Sequence, residues 1–170
     1  MGGSTPASAQ AFELTADKFR ETYDARLKQD GRDSIAACRT SRFQVVCRFH
    51  GDPNFGAGGL FRRIDHSELM TLDILDKKLA QITLTGQRNT SAAQRHFIGL
   101  VTAALGALSP GLDRVKIAGI VSGLGLSRDD SAPNIGESMS QSEPYWNISC
   151  LNQYSQVSTD MACTIVPSAP

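Results

Sequence analysis

The chain carries no excess of charge of either sign: seventeen Lys and Arg residues balance seventeen Asp and Glu. That removes the global field by which nucleic-acid-binding proteins and anionic-membrane binders attract their partners, so any partner is recognised locally. Long apolar runs are absent as well. The most hydrophobic stretch, around Phe97 to Leu108, is interrupted by glycine and small residues, and it falls short of the roughly 20 residues that span a bilayer. Histidine is scarce, with His50, His66 and His96 the full set, and no G-x-S-x-G elbow occurs, which leaves nucleophilic catalysis without its usual base and turn. There is no C-x-x-C and no histidine pair at ligand spacing, so the cysteines do not read as a zinc site. Gly56-Ala57-Gly58-Gly59 resembles a phosphate cradle in composition alone, because it lacks the P-loop lysine and leads into no capped helix. No cofactor is expected.

What is present is four cysteines in two local couples, Cys38 with Cys47 and Cys150 with Cys163. Four cysteines allow three pairings, and strand register favours the local ones. If Cys38 faces Cys47, Thr40 faces Val45, and Ser41-Arg42-Phe43-Gln44 is left for a tight turn. If Cys150 faces Cys163, the loop centres on residues 153–159, rich in Ser and Gln. Both couples read as hairpin staples. With an even cysteine count, and Ala7-Ser8-Ala9 at the small-residue spacing favoured by signal peptidase, the expectation is a periplasmic or extracellular protein whose signal peptide is removed. Residues 1–11, which open on tag-like Met1-Gly2-Gly3-Ser4, are expected to be disordered. Residues 12–168 are expected to form a single α+β domain.

In chain order, Thr15 reads as an N-cap with Asp17 in the first turn and Leu14 and Phe19 as a hydrophobic staple. Phe19, Tyr23 and Leu27 make the apolar stripe of a helix that ends near Gly31. Strands follow over 35–40 and 43–49, the second placing Phe43, Val45, Cys47 and Phe49 on the buried face. Met70, Leu72 and Ile74, a polar turn at Asp76-Lys77-Lys78, and Ala80, Ile82 and Leu84 make a second hairpin. Ser91 with Gln94 reads as a capping box for a helix bearing Phe97, Val101, Leu105 and Leu108. A second helix over 112–122 is expected to bury Leu112, Val115 and Val121. Residues 127–144 read as an exposed connection, and Trp146, Ile148 and Cys150 face Met161, Cys163 and Ile165 in a last hairpin. The pattern predicts an antiparallel sheet of about six strands with the N-terminal helix and a central helix pair packed on one face.

Two clusters are candidates for function. From Arg39 to Arg63 five arginines stand against one acid, Asp52, and Phe55 and Phe61 lie in the same glycine-rich stretch. Arginine and aromatic residues are what interface hot spots favour, so Arg42, Arg48, Phe55, Phe61, Arg62 and Arg63 are the candidate partner-binding residues, centred on the 50–64 loop. The alternative is a metal-dependent hydrolase using His50, Asp52, Asp65, His66 and Glu68, two histidines and three carboxylates flanking one loop. A third reading is a small-ligand carrier with a pocket between the sheet and the 91–122 helices. His96, in the first turns of its helix, reads as a surface residue. The layout is similar in kind to periplasmic inhibitor and immunity proteins, a likeness of architecture that transfers no site. The expected function is a secreted, non-enzymatic binding protein of inhibitor, immunity or accessory type with a protein partner, no nucleic acid and no membrane span.

Overall fold

The computed structural model describes residues 11–50, 68–87, 91–126, 138–154 and 159–169. The expectations for residues 1–10 and for Asp52, Phe55, Phe61, Arg62, Arg63, Asp65 and His66 lie outside those residues. The described elements are α1 (Ala16–Gln29), β1 (Ile35–Thr40), β2 (Gln44–Phe49), β3 (Leu69–Leu75), β4 (Lys78–Gln87), α2 (Ser91–Leu108), α3 (Arg114–Gly123), β5 (Ser138–Ser142), β6 (Trp146–Tyr154) and β7 (Thr159–Pro167).

Helix α1 begins where Thr15 accepts a hydrogen bond from the Lys18 amide at 3.2 Å, which satisfies a donor that the helix itself leaves open. It ends in a Schellman motif: Gly31 takes φ +66°, its amide bonds Lys28, and the Arg32 amide reaches back to Leu27 at 2.8 Å. Phe19, Tyr23 and Leu27 are fully buried. Helix α3 starts two residues later than the spacing predicts, at the Asp113 cap, whose carboxylate accepts from the Lys116 amide at 2.7 Å. That start turns Ile117, Ile120 and Val121 inward and leaves Val115 83% exposed, so the expected burial of Val115 is corrected.

The strands form one antiparallel sheet in the order β1-β2-β3-β4-β7-β6-β5. Seven strands are present where six were expected. The addition is β5, whose sequence Ser-Met-Ser-Gln-Ser has no aliphatic alternation because it lies at an edge with little to bury. It pairs with β6 and sits under α3, close enough that a Cβ at Gly123 would stand 2.5 Å from Gln141 Nε2. The last hairpin joins the main sheet through β7, which pairs with β4.

Both staples are as the register predicts. Cys38 and Cys47 are cross-strand partners joined by a disulfide, as are Cys150 and Cys163, and no cysteine is free. The face carrying Val45, Cys47, Met70, Leu72, Ile82, Leu84, Cys163, Ile165, Cys150 and Ile148 is buried beneath the helices. The other face is open and polar: along one register line stand Val46, Thr71, Thr83, Thr164, Ser149 and Ser140, the composition of an antiparallel sheet with one solvated side. Trp146, 1% exposed, fixes the far corner by donating its indole N–H to Ser109 Oγ at 2.8 Å.

One departure from simple alternation occurs in β4. Leu79, not Ala80, is buried. The chain segment before α1 runs alongside: Phe12 donates to the Leu79 carbonyl and the Leu79 amide donates to Leu14, at 2.7 and 2.8 Å. Opposite, the register shifts between Asp73 and Ile74, so Ala80 is the bulged residue and Leu79 turns inward.

Candidate functional site

The tip of the first hairpin is built from its turn. Ser41 N–H donates to the Gln44 carbonyl at 2.8 Å, and Ser41 Oγ accepts from the Gln44 amide at 3.1 Å, which leaves Arg42 and Phe43 at the apex. The Ile74 amide donates to the Phe43 carbonyl at 2.8 Å and ties the apex to β3. The Cys38–Cys47 bond closes the hairpin below. Phe43 is thereby outside the strand and 67% exposed, which corrects its expected place on the buried face: the turn takes it before the alternation begins at Val45. The Arg42 guanidinium lies over its ring, 5.3 Å from the centroid, a cation–π contact. Leu75, also exposed, ends the neighbouring strand.

Arg48 does not join this tip. It is half-buried on the open face, level with Ala37, Leu69 and Thr85. Four steps of strand from Gln44 at about 3.4 Å each put it roughly 14 Å below the turn that carries Arg42. The two described members of the partner-binding set read from the sequence therefore lie apart, Arg42 at the tip, where the structure adds Phe43, and Arg48 at the base of the hairpin.

The acidic and histidine set divides too. Glu68 is 2% exposed and meets His96, not His50, which is exposed at the end of β2. His96 Nδ1 stands 2.6 Å from Glu68 Oε2, and its Nε2 stands 3.5 Å from Asp33 Oδ2. Neither contact meets hydrogen-bond geometry, and both are ion pairs when the imidazole is protonated. Contact with the Glu68 carboxylate raises the His96 pKa above its ordinary value; burial opposes the rise, and the charge of Asp33 adds to it. Tyr23 lies in the same field: burial first, and the Glu68 charge second, push its phenol well above the usual range, while its hydroxyl donates to the Leu100 carbonyl at 3.0 Å. The expected surface role of His96 is corrected. A buried carboxylate needs a cation, and α2 supplies one. The two carboxylates sit on opposite ring nitrogens and do not converge, and among the described residues no group of His, Cys, Asp and Glu forms a metal site.

The hydrophobic core lies between the sheet and the helices. A groove of ≈ 580 Å³ lies between the end of α1, α2 and α3. Ile98, Ile117 and Val121 line its floor, and Arg26, Arg32 and Arg114 its rim. Arg114 pairs with Asp30 at 3.4 Å. Gln94, expected in a capping box, reaches across to the chain just past α3 and donates to the Leu126 carbonyl at 2.9 Å.

No helix among the described residues is long and apolar enough to cross a membrane. Comparison with family models, with characterised proteins and with solved structures finds no match for the chain.

Proposed function

We propose that the protein is a non-catalytic binding protein of an oxidising compartment, periplasmic or extracellular, that engages a protein partner through the first hairpin tip. The observation that carries this reading is the Arg42–Phe43 pair, an aromatic ring 67% exposed with a guanidinium stacked on it. Exposing such a ring is unfavourable for the isolated protein, whereas burying it against a partner contributes hydrophobic and cation–π energy together. The tip is held in place by the turn, by the Ile74 amide and by the disulfide below it, so little conformational freedom is lost on binding. Pairing of all four cysteines supports the compartment. Inhibitor, immunity and accessory roles share this chemistry, since each requires a preformed surface and no reacting group. The hydrolase alternative gains no support from the described part of its cluster, where Glu68 is engaged by His96.

Affinity purification from the native compartment tests the reading. Wild-type protein is expected to retain a stoichiometric partner that Phe43→Ala and Arg42→Ala lose and that Val115→Ala, altering an exposed residue on α3, retains. A partner held equally by all three variants contradicts it.

A further inference from the structure

We infer that the groove between α1, α2 and α3 is a second binding site, independent of the hairpin tip, whose occupant is an acidic amphipathic helix of a protein partner. Three observations carry this.

The first is charge. Arg26, Arg32 and Arg114 line the groove with one carboxylate, Asp30, and Asp30 is paired with Arg114. Among the described residues neither the Arg26 nor the Arg32 side chain donates a hydrogen bond or reaches a carboxylate at ion-pair distance, although the charge of Arg32 is felt at Tyr23 and His96. Two guanidinium groups with their donors unused, beside an apolar floor, complement an anionic ligand that also presents apolar surface.

The second is that α2 makes room for both cations. A Cβ at Gly106 would lie 2.7 Å from Arg26 Cζ, and a Cβ at Gly99 would collide with the Arg32 guanidinium. Glycine lowers the stability of a helix interior by about 1 kcal/mol relative to alanine. Here it occurs at the two positions where an arginine head lies against the helix.

The third is spacing. Gly99 and Gly106 are seven residues apart, about 10.5 Å along α2 at 1.5 Å per residue, so the two guanidinium groups are separated by roughly that distance. A helix repeats a side chain on the same face at that interval, carboxylates at i and i+7, with apolar residues at i+3 and i+4 between them. Same-face residues of a strand recur at about 7 or 14 Å and match poorly. The apolar residues of such a helix would pack on Ile98 and Ala118, the lining residues still open beside the buried Ile117 and Val121, while its carboxylates reach Arg26 and Arg32.

Titration of the isotopically labelled full chain with two synthetic 18-residue peptides of identical composition tests the inference by amide chemical shifts. One peptide carries Glu at i and i+7 with Leu at i+3 and i+4; the other places the two Glu on opposite faces. The aligned peptide is expected to shift amides of α2, α3 and the end of α1, and to bind at least 10-fold more tightly than its isomer. The pair Arg26→Gln with Arg32→Gln is expected to weaken it at least 10-fold, and Arg42→Gln to leave it unchanged. Gly99→Ala keeps every charge but displaces the Arg32 head, so it is expected to weaken binding several-fold while the thermal midpoint does not fall. Absence of binding by the aligned peptide at millimolar concentration, equal binding of both isomers, or citrate reproducing the shifts at equal affinity would each overturn the proposal. Because the hairpin tip is not involved, failure here leaves the tip reading intact, and the reverse holds.

Discussion

Removing His96 should damage the fold far more than removing the carboxylate it meets. In His96→Leu, Glu68 remains 2% exposed with its nearest cation gone, the situation in which breaking a buried pair costs about 3–5 kcal/mol. In Glu68→Gln the charge itself is removed. His96 is then left with Asp33 at 3.5 Å and some solvent, its side chain being 21% exposed, and the cost falls to about 1–2 kcal/mol. Replacing both by leucine removes the buried charge and its partner together and should recover much of the His96→Leu loss, since apolar substitution of a whole buried pair is often near neutral. The pH dependence has a defined sign. The His96 pKa is raised in the folded state, first by contact with Glu68. Its contribution to stability is therefore complete below its unfolded value of about 6.5 and is lost as pH rises through the higher folded value. The gap between wild type and Glu68→Gln should be wider at pH 6 than at pH 9. Urea unfolding followed by the fluorescence of Trp146, the one tryptophan in the chain and a buried one, measures all four proteins. A Glu68→Gln change more damaging than His96→Leu, a double variant as unstable as the two singles summed, or a gap that does not change with pH would each contradict the pairing of Glu68 with His96.

Other perturbations have equally definite outcomes. Reducing the Cys38–Cys47 bond, which spans a sequence separation of 9, should lower stability by about 2–3 kcal/mol through the freed unfolded chain, read as a lower urea midpoint for the Cys38→Ser, Cys47→Ser pair. The β3–β4 turn holds Asp76 at φ 49° and Lys77 at φ 66°. Replacing them by Asn-Gly, which suits a turn with two left-handed residues, should raise stability by about 1 kcal/mol, and a lower thermal midpoint would count against that turn geometry. Gly86→Ala would place a Cβ 2.5 Å from Phe97 Cδ2; overpacking of this kind costs about 1–3 kcal/mol, and an unchanged urea midpoint would show that the ring has room to move.

Much of the framework was legible because local chemistry and global fold agree. Thr15, Gly31 and the Phe19, Tyr23, Leu27 stripe define α1 with no help from the rest of the chain. The cysteine register worked because a disulfide between facing strands needs two residues on one face, a condition met by Val45 beside Cys47 and Ile148 beside Cys150. What escaped reading is set by tertiary contact. Strand β5 carries no apolar alternation, since pairing with β6 and the cover of α3 suffice to hold it. Leu79 turns inward because residues 12–14 run beside it, and no period-two pattern contains that information. Glu68 and His96 are 28 positions apart, and each alone looks like a polar residue beside a loop; only burial makes them a pair. A lone histidine followed by Phe97 on an amphipathic helix is the weak signal that was present, for His96 adjoins the buried stripe. The groove arginines were missed for a similar reason: Arg26 and Arg32 lie outside the run of arginines around the first hairpin, and it is Gly99 and Gly106 on another helix that give them their place.

If the protein acts by binding through Arg42 and Phe43, its partner lies against position 43. A photoreactive phenylalanine analogue at position 43, activated in the native compartment, captures that partner, with the same analogue at exposed position 115 as control. The prediction is one discrete adduct of protein size from position 43, abolished by Arg42→Ala and absent from position 115. Indistinguishable products from both positions, or none from position 43, would contradict the claim.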